Sequence, residues 1–355
     1  MIKKILLIFL CFSVFPFSAC YDAVEIDDLA YVVAMGIDKG EKKTFRITFQ
    51  YAVPLNIASG IEGSPGEEAP LTSLTVEADS LHTALNDANG KIAKTSALSH
   101  LNLLLLSDSA AMQDLHFLQD ELLSLPDLPK TACLALCGGT ASDKLAAVSS
   151  PLERNPSRYY TDFFQNAVSG YELSRTVSDF LRPDTDTALP YLKSGETFEI
   201  TGMAILKEHT LYKIYPKQDI LLLNLLRGNT KDLKYETANG VYRLDARTKP
   251  DISVRPESTP IVSVSLDLTG EPLSGKDFLF RDSKKADADI SGSLKADLLQ
   301  FLYKLTKDDI DLLNLSDRMK KHFLTEKELK AYAPQKKYPA SVFSMKIHFR
   351  NTKTD

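Results

Sequence analysis

The sequence predicts a mixed α/β (α+β) fold made of layered sheets and helices in three domains. Between residues 74 and 148, strand-like segments are interleaved with segments of helical spacing, which is the pattern of a layered α/β sheet. Between residues 199 and 268, alternating segments dominate and indicate a mostly antiparallel sheet. The length of 355 residues exceeds what one hydrophobic core usually serves. The predicted units are residues 1–19, an N-terminal mixed α/β domain at 20–190, a middle mostly antiparallel β domain with one helix at 191–275, and a C-terminal α+β domain at 276–355.

The N-terminal domain is predicted to open with an antiparallel hairpin. Ala30–Ile37 is an apolar run, Thr44–Val53 alternates between apolar and polar residues, and the polar residues between them favour a turn. Asn56–Pro70 is rich in Gly, Ser, Pro and Glu and predicts a surface loop. The elements expected next are a strand at Leu74–Ala78, a helix from a Ser80 cap to about Ala97, a strand at Leu101–Leu106, a helix at Ala110–Ser124, a strand at Ala132–Cys137 and helices at Ala141–Val148, Ser157–Ser169 and Arg175–Leu181.

The middle and C-terminal domains are predicted after a polar stretch between Pro183 and Pro190, which is typical of a boundary. The middle domain begins with a hairpin. The C-terminal domain is dominated by an amphipathic helix with a stripe of four leucines (Leu294, Leu298, Leu302 and Leu305). The expected elements are strands at Glu199–Leu206 and Leu211–Tyr215, a helix at Gln218–Arg227, strands at Gly240–Ala246, Asp251–Arg255 and Ile261–Leu268, a helix at Ser291–Lys307, two short helices and a closing strand at Ser341–Phe349.

The first twenty residues have the three-part layout of an export signal. Lys3 and Lys4 are followed by the apolar stretch Ile5–Phe17 and two small residues before Cys20. This layout resembles a bacterial lipoprotein signal, in which the cysteine thiol takes a diacylglyceryl group and becomes the first mature residue. Phe17 stands where such signals usually have Leu. The resemblance predicts lipid attachment, including palmitate-type acyl chains, at Cys20; the alternative is that Cys20 is a small residue near an ordinary cleavage site.

The charge and hydropathy of the rest of the chain agree with an anchored rather than a spanning protein. The formal charge is −5 and becomes −7 when residues 1–19 are removed. An acidic body does not predict nucleic-acid binding, and anionic headgroups repel it, so an acyl anchor would supply most of the membrane attachment. No apolar run of 18 residues follows Cys20. The segment from Asp317 onward has an excess of six basic residues, which indicates either a docking face for an acidic partner or headgroups, or a solvated surface.

No motif of a known catalytic or metal-binding chemistry occurs in the sequence. The nucleophile-elbow, zinc-protease and phosphate-loop patterns are missing, and the six histidines have no pair spacing for a metal. Cys133 and Cys137 fall in a predicted buried strand, where residues four apart are about 13 Å apart and cannot form a disulfide. If that segment were helical, a disulfide or a metal pair would become possible. We therefore expect a non-enzymatic protein without catalytic, cofactor or metal residues.

Three polar motifs admit a ligand-binding interpretation beside a structural one. Asp287–Gly292 fits the first half of a calcium loop, but Leu298 occupies its twelfth position, so a polar loop with a Ser291 or Ser293 helix cap is favoured. The Gly138-Gly139 pair could present N–H groups to an anion, although glycines serve turn geometry more often. Glu25, Asp27 and Asp28 could form an acid/base pair, although a solvated face is the simpler interpretation.

The stretch after Cys20 resembles the opening of the Ger(x)C family, the spore-germination receptor C-subunit lipoproteins. That family typically begins with Cys-Trp-Asp, a Glu-Ile or Glu-Leu pair and an Ala-x-x-x-Ala-x-Gly-Ile-Asp strand. Tyr21 replaces the usual Trp, Ile200–Leu206 with a downstream Leu-Leu-x-Leu-Leu-Arg-Gly resembles a second block, and Phe343–Arg350 resembles the terminal strand. The matching residues of the opening are Cys20, Asp22, Glu25, Ile26, Leu29, Ala30, Ala34, Gly36, Ile37 and Asp38.

The resemblance implies a three-domain lipoprotein ectodomain on the outer face of the inner spore membrane. It implies a non-enzymatic subunit of a nutrient germinant receptor that works with two polytopic membrane subunits, A and B, and with the bilayer through acylated Cys20. The family has no known catalytic residue set. The alternatives are a substrate-binding lipoprotein of a transporter, which usually has two α/β lobes around a hinge, and a surface-anchored hydrolase.

Overall fold

The computed structural model describes residues 25–53, 71–113, 115–125, 127–147, 156–167, 179, 186–193, 198–228, 233–246 and 248–352. The predicted signal segment, Cys20, the predicted loop at Asn56–Pro70 and all of the predicted Arg175–Leu181 helix except Asp179 lie outside these residues. The described part of the chain is a mixed helix and sheet structure, which confirms the predicted fold class.

The first of two sheets contains nine strands in the described part of the chain. Its order is β3-β2-β1-β5-β6-β7-β8-β9, with the short β4 paired to the start of β1. β1, β5, β6 and β7 are parallel, whereas β2, β3, β8 and β9 are antiparallel to their neighbours. The strands are β1 (Leu29–Lys39), β2 (Phe45–Ala52), β3 (Leu71–Ala78), β4 (Thr95–Ala97), β5 (Leu103–Ser107), β6 (Cys133–Cys137), β7 (Thr187–Leu192), β8 (Ile200–Lys207) and β9 (Thr210–Pro216).

Helices cover both faces of the first sheet, so its central strands are buried on both sides, as expected of parallel strands. On one face, α1, α2 and α3 pack over a core that includes Ile37, Leu104 and Leu106. On the other face, α4, α5 and α6 pack over a core that continues into the second sheet. These helices are α1 (Leu81–Ile92), α2 (Asp108–Ala111), α3 (His116–Ser124), α4 (Ala141–Ala146), α5 (Pro156–Ala167) and α6 (Lys217–Arg227).

The second sheet has five strands, and one long helix, α8, packs over its inner face. β11 and β12 pair one after the other along the same side of β13, and β14 pairs with β13 in parallel on the opposite side. The leucine stripe of α8 is buried, as its spacing predicts. The remaining elements are β10 (Leu233–Thr237), β11 (Gly240–Ala246), β12 (Asp251–Arg255), β13 (Ile261–Gly275), α7 (Phe278–Arg281), α8 (Ser283–Lys307), α9 (Leu315–Lys320), α10 (Glu326–Tyr332), α11 (Pro334–Lys337) and β14 (Val342–Asn351).

Three predicted helices differ in extent from the observed ones. The helix predicted to reach Ala97 ends at Ile92, because Ala93 adopts a left-handed conformation with φ of 54° and frees the next residues to form β4. The helix predicted at Ala110–Ser124 is two helices, α2 and α3. The helix predicted from Ser291 begins at Ser283, where the side chain of Asp282 accepts a hydrogen bond from the N–H of Lys285 and caps it.

The sheets do not follow the predicted domain limits. Pro190 lies inside β7, and β8 and β9, assigned by sequence to the middle domain, extend the first sheet. Proline is tolerated there because the pairing of β7 with β6 begins only at Tyr191. The predicted limit at residue 275 separates β13 from β14, although these two strands form ten residue pairs. The two sheets are therefore the observed structural divisions, and the division into three domains stays a prediction.

Candidate functional site

The chain enters the first sheet a few residues after Cys20, the predicted lipid-bearing residue. Ile26–Asp28 forms one exposed turn of 3-10 helix, and β1 begins at the next residue. Lys94 Nζ donates a 2.7 Å hydrogen bond to the backbone oxygen of Asp27 and fixes this turn against the sheet. Glu25, Asp27 and Asp28 are all exposed, in agreement with the solvated interpretation. Four residues lie between Cys20 and Glu25, so these two positions are at most about 18 Å apart.

β1 is a central strand of the first sheet, and the Gly36-Ile37-Asp38 motif near its end positions helix α4. The carboxylate of Asp38 accepts hydrogen bonds from the backbone N–H groups of Ala141 (2.6 Å) and Ser142 (3.0 Å) at the start of α4. Two residues earlier, a Cβ on Gly36 would lie 3.1 Å from the Ala141 Cβ and the Leu145 Cδ1. Gly36 therefore gives α4 room to approach β1, and Asp38 satisfies N–H groups that a helix start leaves without partners.

The Gly138-Gly139 turn serves geometry, because a protein carboxylate occupies the helix start beside it. Gly139 has φ of 81°, which glycine adopts at little cost. The N–H groups of Ala141 and Ser142, which could have faced an anion, donate to Asp38. The turn therefore positions α4, as the structural interpretation of the sequence predicts.

Cys133 and Cys137 are buried at opposite ends of β6 and are not joined by a disulfide. Their strand assignment agrees with the prediction. Burial, with a smaller effect from the charge of Asp38, raises the pKa of Cys137 to about 12. The thiolate is the reactive form of cysteine, so this residue is chemically inert at neutral pH.

The predicted polar loop at Asp287–Gly292 is wrong, because the segment lies within α8. The Asp289 carboxylate is a structural acceptor rather than a calcium ligand. It accepts hydrogen bonds from the Thr237 hydroxyl (2.9 Å), the Asn239 amide (2.6 Å) and the Tyr242 hydroxyl (3.1 Å) of the β10–β11 hairpin. The helical pattern was hidden here because the segment is short of large apolar residues.

A charged network joins the edge of the first sheet to the C-terminal end of α8. Asp308 accepts hydrogen bonds from Lys213 Nζ (2.7 Å) and the Tyr215 hydroxyl (2.6 Å), which lower the pKa of its carboxyl. Lys304 Nζ contacts Asp219 at 2.6 Å and lies 3.8 Å from the centre of the Tyr215 ring. The partners in these contacts lie more than 80 residues apart in the sequence. No local sequence pattern could therefore predict them.

Two buried carboxyl groups lie beside this network, at the start of β7. The Asp186 carboxylate accepts a 2.7 Å hydrogen bond from the backbone N–H of Asp311. The Asp311 carboxylate in turn accepts from the N–H groups of Leu315 and Ser316, both at 2.8 Å, and so begins α9. Burial raises the pKa of Asp186 to about 6 and raises the pKa of Asp311 as well.

A buried ion pair lies at the end of α6, beside the segment that follows α8. Arg227, at the end of α6, lies 3.4 Å from the Asp179 carboxylate and donates a 3.1 Å hydrogen bond to the Leu312 oxygen. The side chains are only 5% and 9% exposed. The residues that make these contacts are called the charged seam below, and they link the first sheet and α6 to the segment that follows α8: Lys213, Asp308, Asp186, Asp311 and Arg227.

Within the described part of the chain, no group of three His, Cys, Asp or Glu residues is placed to hold a metal ion. A depression of about 420 Å³ lies on the second sheet and is lined by Thr248, Asp267, Leu268, His348, Phe349 and Arg350.

No helix among the described residues is long and apolar enough to cross a membrane.

Comparison with known proteins identifies the class of this fold. Residues 22–194 match the family model described as the spore germination protein N-terminal domain. Spore germination protein KC of Bacillus subtilis (strain 168) is 26% identical over 187 residues, covering 51% of this chain and 46% of that protein. Spore germination protein A3 of the same organism is 33% identical over 106 residues, covering 30% and 27%. The chain thus spans about half or less of the length of these relatives.

The fold also matches that of a solved structure. The crystal structure of the GerBC protein superposes with a TM-score of 0.55, covering 90% of this chain and 96% of that chain at 15% sequence identity. The family match over residues 22–194 assigns the chain to the class of spore germination proteins. The chain is a member of the Ger(x)C family, which confirms the resemblance seen in its opening motif.

Proposed function

We propose that this chain is a non-enzymatic, membrane-anchored lipoprotein subunit of a nutrient germinant receptor, the C subunit, required for spore germination. The observation that carries the proposal is the family match, which begins at residue 22, two residues after the predicted lipid-bearing Cys20. The match runs from residue 22 through β7 and includes the Gly36 and Asp38 motif that positions α4.

The proposed location is the outer face of the inner spore membrane, with acyl chains on Cys20 as the anchor. The mature body has a formal charge of −7, so attachment by bulk electrostatics is unfavourable and the acyl chains supply it. The tether is short, and it leads directly into β1, a central strand of the first sheet. A pull or a restriction at the membrane would therefore act on a strand that is buried over residues 32–38.

The proposed mechanism is assembly and signalling with two polytopic membrane subunits, A and B. Confinement to the membrane surface raises the effective concentration of the partners, so a weak interface is sufficient. A stable interface still needs about 1,000 Å² of buried surface. The charged seam links the first sheet to the segment that follows α8, and in this proposal it passes a displacement caused by a partner from one to the other.

The lipid step is tested by metabolic labelling with a fatty-acid analogue. Cys20→Ala should abolish labelling and prevent formation of the lipidated mature chain. Cys133→Ala is the matched control, because that thiol is buried and should leave labelling unchanged. Labelling of the Cys20→Ala chain would contradict the lipid assignment.

The receptor role is tested in spores. Deleting the gene should leave spores dormant in one nutrient while they still respond to a receptor-independent trigger. Restoring the wild-type gene should recover the nutrient response, and the two polytopic subunits should co-purify with the chain from spore membranes. An unchanged nutrient response in a strain without redundant receptors would contradict the role.

A further inference from the structure

One leucine in the C-terminal helical region, Leu324, is almost fully exposed and is flanked by residues that make defined contacts. Leu324, between α9 and α10, is 98% exposed. The residue before it, Phe323, packs against the Tyr332 ring at 4.8 Å between centroids, and the Tyr332 hydroxyl donates to the Glu257 oxygen. The residue after it, Thr325, forms a capping box with Glu328. Leu324 is therefore held outward by ordered neighbours on both sides.

The surroundings of Leu324 are basic, although the chain as a whole is acidic. Residues 318–337 contain seven Lys or Arg and two Glu. Both Glu residues are engaged within α10, because Glu326 pairs with Lys330 at 2.6 Å and Glu328 accepts from the Thr325 N–H. Lys321 and Lys327, three residues to either side of Leu324, are exposed. This surface, formed by residues 318–337, is called the basic tip below. It presents an exposed leucine with an exposed lysine three residues away on either side.

The basic tip is connected to the edge of the sheet from which the chain leads back to Cys20. β1, β5, β6 and β7 are parallel, so their amino ends lie along one edge. The carboxylate of Asp186, just before β7, accepts a hydrogen bond from the N–H of Asp311. The Asp311 carboxylate accepts one from the N–H of Leu315, the first residue of α9, and this helix leads into the tip. β1 and β7 are three strand spacings apart, about 14 Å.

We propose that the basic tip is a second membrane contact, in which the lysines bind anionic phospholipid headgroups and Leu324 inserts among the acyl chains. This inference rests on the proposed function only for the presence of a bilayer beside the chain. Each basic residue near an anionic surface increases binding about fivefold. Burial of one leucine side chain adds roughly tenfold or more. Together with the acyl anchor, the contact fixes the orientation of the ectodomain on the membrane.

The chain has no tryptophan, so a single introduced indole reports on its own surroundings. The experiment places Leu324→Trp in the full mature chain and adds it to vesicles of phosphatidylcholine alone or of equal parts phosphatidylcholine and phosphatidylglycerol. With phosphatidylglycerol, the emission should shift to the blue and brominated acyl chains should quench it. Met112→Trp is the matched control, because Met112 is 65% exposed and its segment 108–115 contains no Lys or Arg.

Charge reversal tests the electrostatic part. Lys321→Glu with Lys327→Glu, in the Leu324→Trp chain, should reduce quenching at least tenfold at limiting lipid. The control pair Lys284→Glu with Lys295→Glu, on exposed positions of α8, changes the net charge equally and should leave quenching unchanged.

Several outcomes would overturn the proposal. These are the absence of quenching with phosphatidylglycerol, equal quenching with phosphatidylcholine alone, and a shift that requires co-purified polytopic subunits, which would assign the tip to a protein partner. If instead the chain carries an unmodified Cys20 and is not held by phosphatidylcholine vesicles, the anchoring proposal fails. The tip is still tested, because the same unanchored chain is titrated with phosphatidylglycerol vesicles.

Discussion

Asp38 and Ala141 are 103 residues apart in the sequence, and the carboxylate of Asp38 accepts a 2.6 Å hydrogen bond from the backbone N–H of Ala141. This bond, with a second one from Ser142, ties the end of β1 to the start of α4. The Gly-Ile-Asp sequence that gives the family resemblance thus has a physical role: it docks a helix on a central strand.

Asp38→Ala should destabilise the protein by about 2–3 kcal/mol, because it leaves one buried and one partly buried N–H group without this acceptor. Asp38→Asn should cost less, since its amide oxygen still accepts one of these bonds. Urea unfolding followed by circular dichroism measures the difference. Asp28→Ala, at an exposed position, is the control and should change the free energy of unfolding by less than about 0.5 kcal/mol. Equal stability of the Asp38 and Asp28 variants would contradict the docking role.

Asp186→Asn should change the pH dependence of stability. Burial raises the pKa of Asp186 to about 6 from an ordinary value of 3.8, so the folded state favours its protonated form. The contribution of this protonated carboxyl to the free energy of unfolding is therefore fully present below pH 4, and it is lost as the pH rises to about 6. Between pH 4 and 7 the variant should gain about 2–3 kcal/mol relative to the wild type. Parallel curves of unfolding free energy against pH for the two proteins would contradict this.

Local patterns predicted most of the elements. The hairpin of β1 and β2, the strand that holds Cys133 and Cys137, helix α6 and the leucine stripe of α8 all depend on the spacing of apolar residues within one segment. β10 was not predicted, because its alternation over Leu233–Thr237 is short and largely polar. The first half of α8 was missed for the same reason, since polar residues between Ser283 and Asp289 mask its helical spacing.

The connections between elements could not be predicted from such patterns. The β8–β9 hairpin is recognisable in the sequence, but whether it extends the first sheet or begins a second one depends on hydrogen bonds to β7. The charged seam depends in the same way on residues that meet only after folding, such as Lys213 with Asp308. For the candidate site, the sequence indicated Cys20 and the basic C-terminal segment, but not the ordered display of Leu324.

Arg227→Met should be strongly destabilising, by about 3–5 kcal/mol, because it removes the cation that faces the buried Asp179 carboxylate. The same change also removes the hydrogen bond to the Leu312 oxygen. Chemical unfolding measures the loss. Arg255→Met is the matched control, since Arg255 is exposed and its partner Glu257 lies 3.8 Å away; that change should cost less than about 0.5 kcal/mol. Equal stability of the two variants would contradict a stabilising role for the buried ion pair.

Thiol counting with a chromogenic disulfide reagent at pH 8 tests both the buried cysteines and the anchor. The mature chain has Cys20, Cys133 and Cys137. Burial hides the last two and raises the pKa of Cys137 to about 12, so the folded, lipidated chain should release less than one equivalent of chromophore. Unfolding in guanidinium should expose two equivalents, because a thioether at Cys20 does not react. Three equivalents after unfolding would mean that Cys20 carries a free thiol. One fast equivalent in the folded chain, without a third after unfolding, would mean that the environment of β6 is more accessible than its burial indicates.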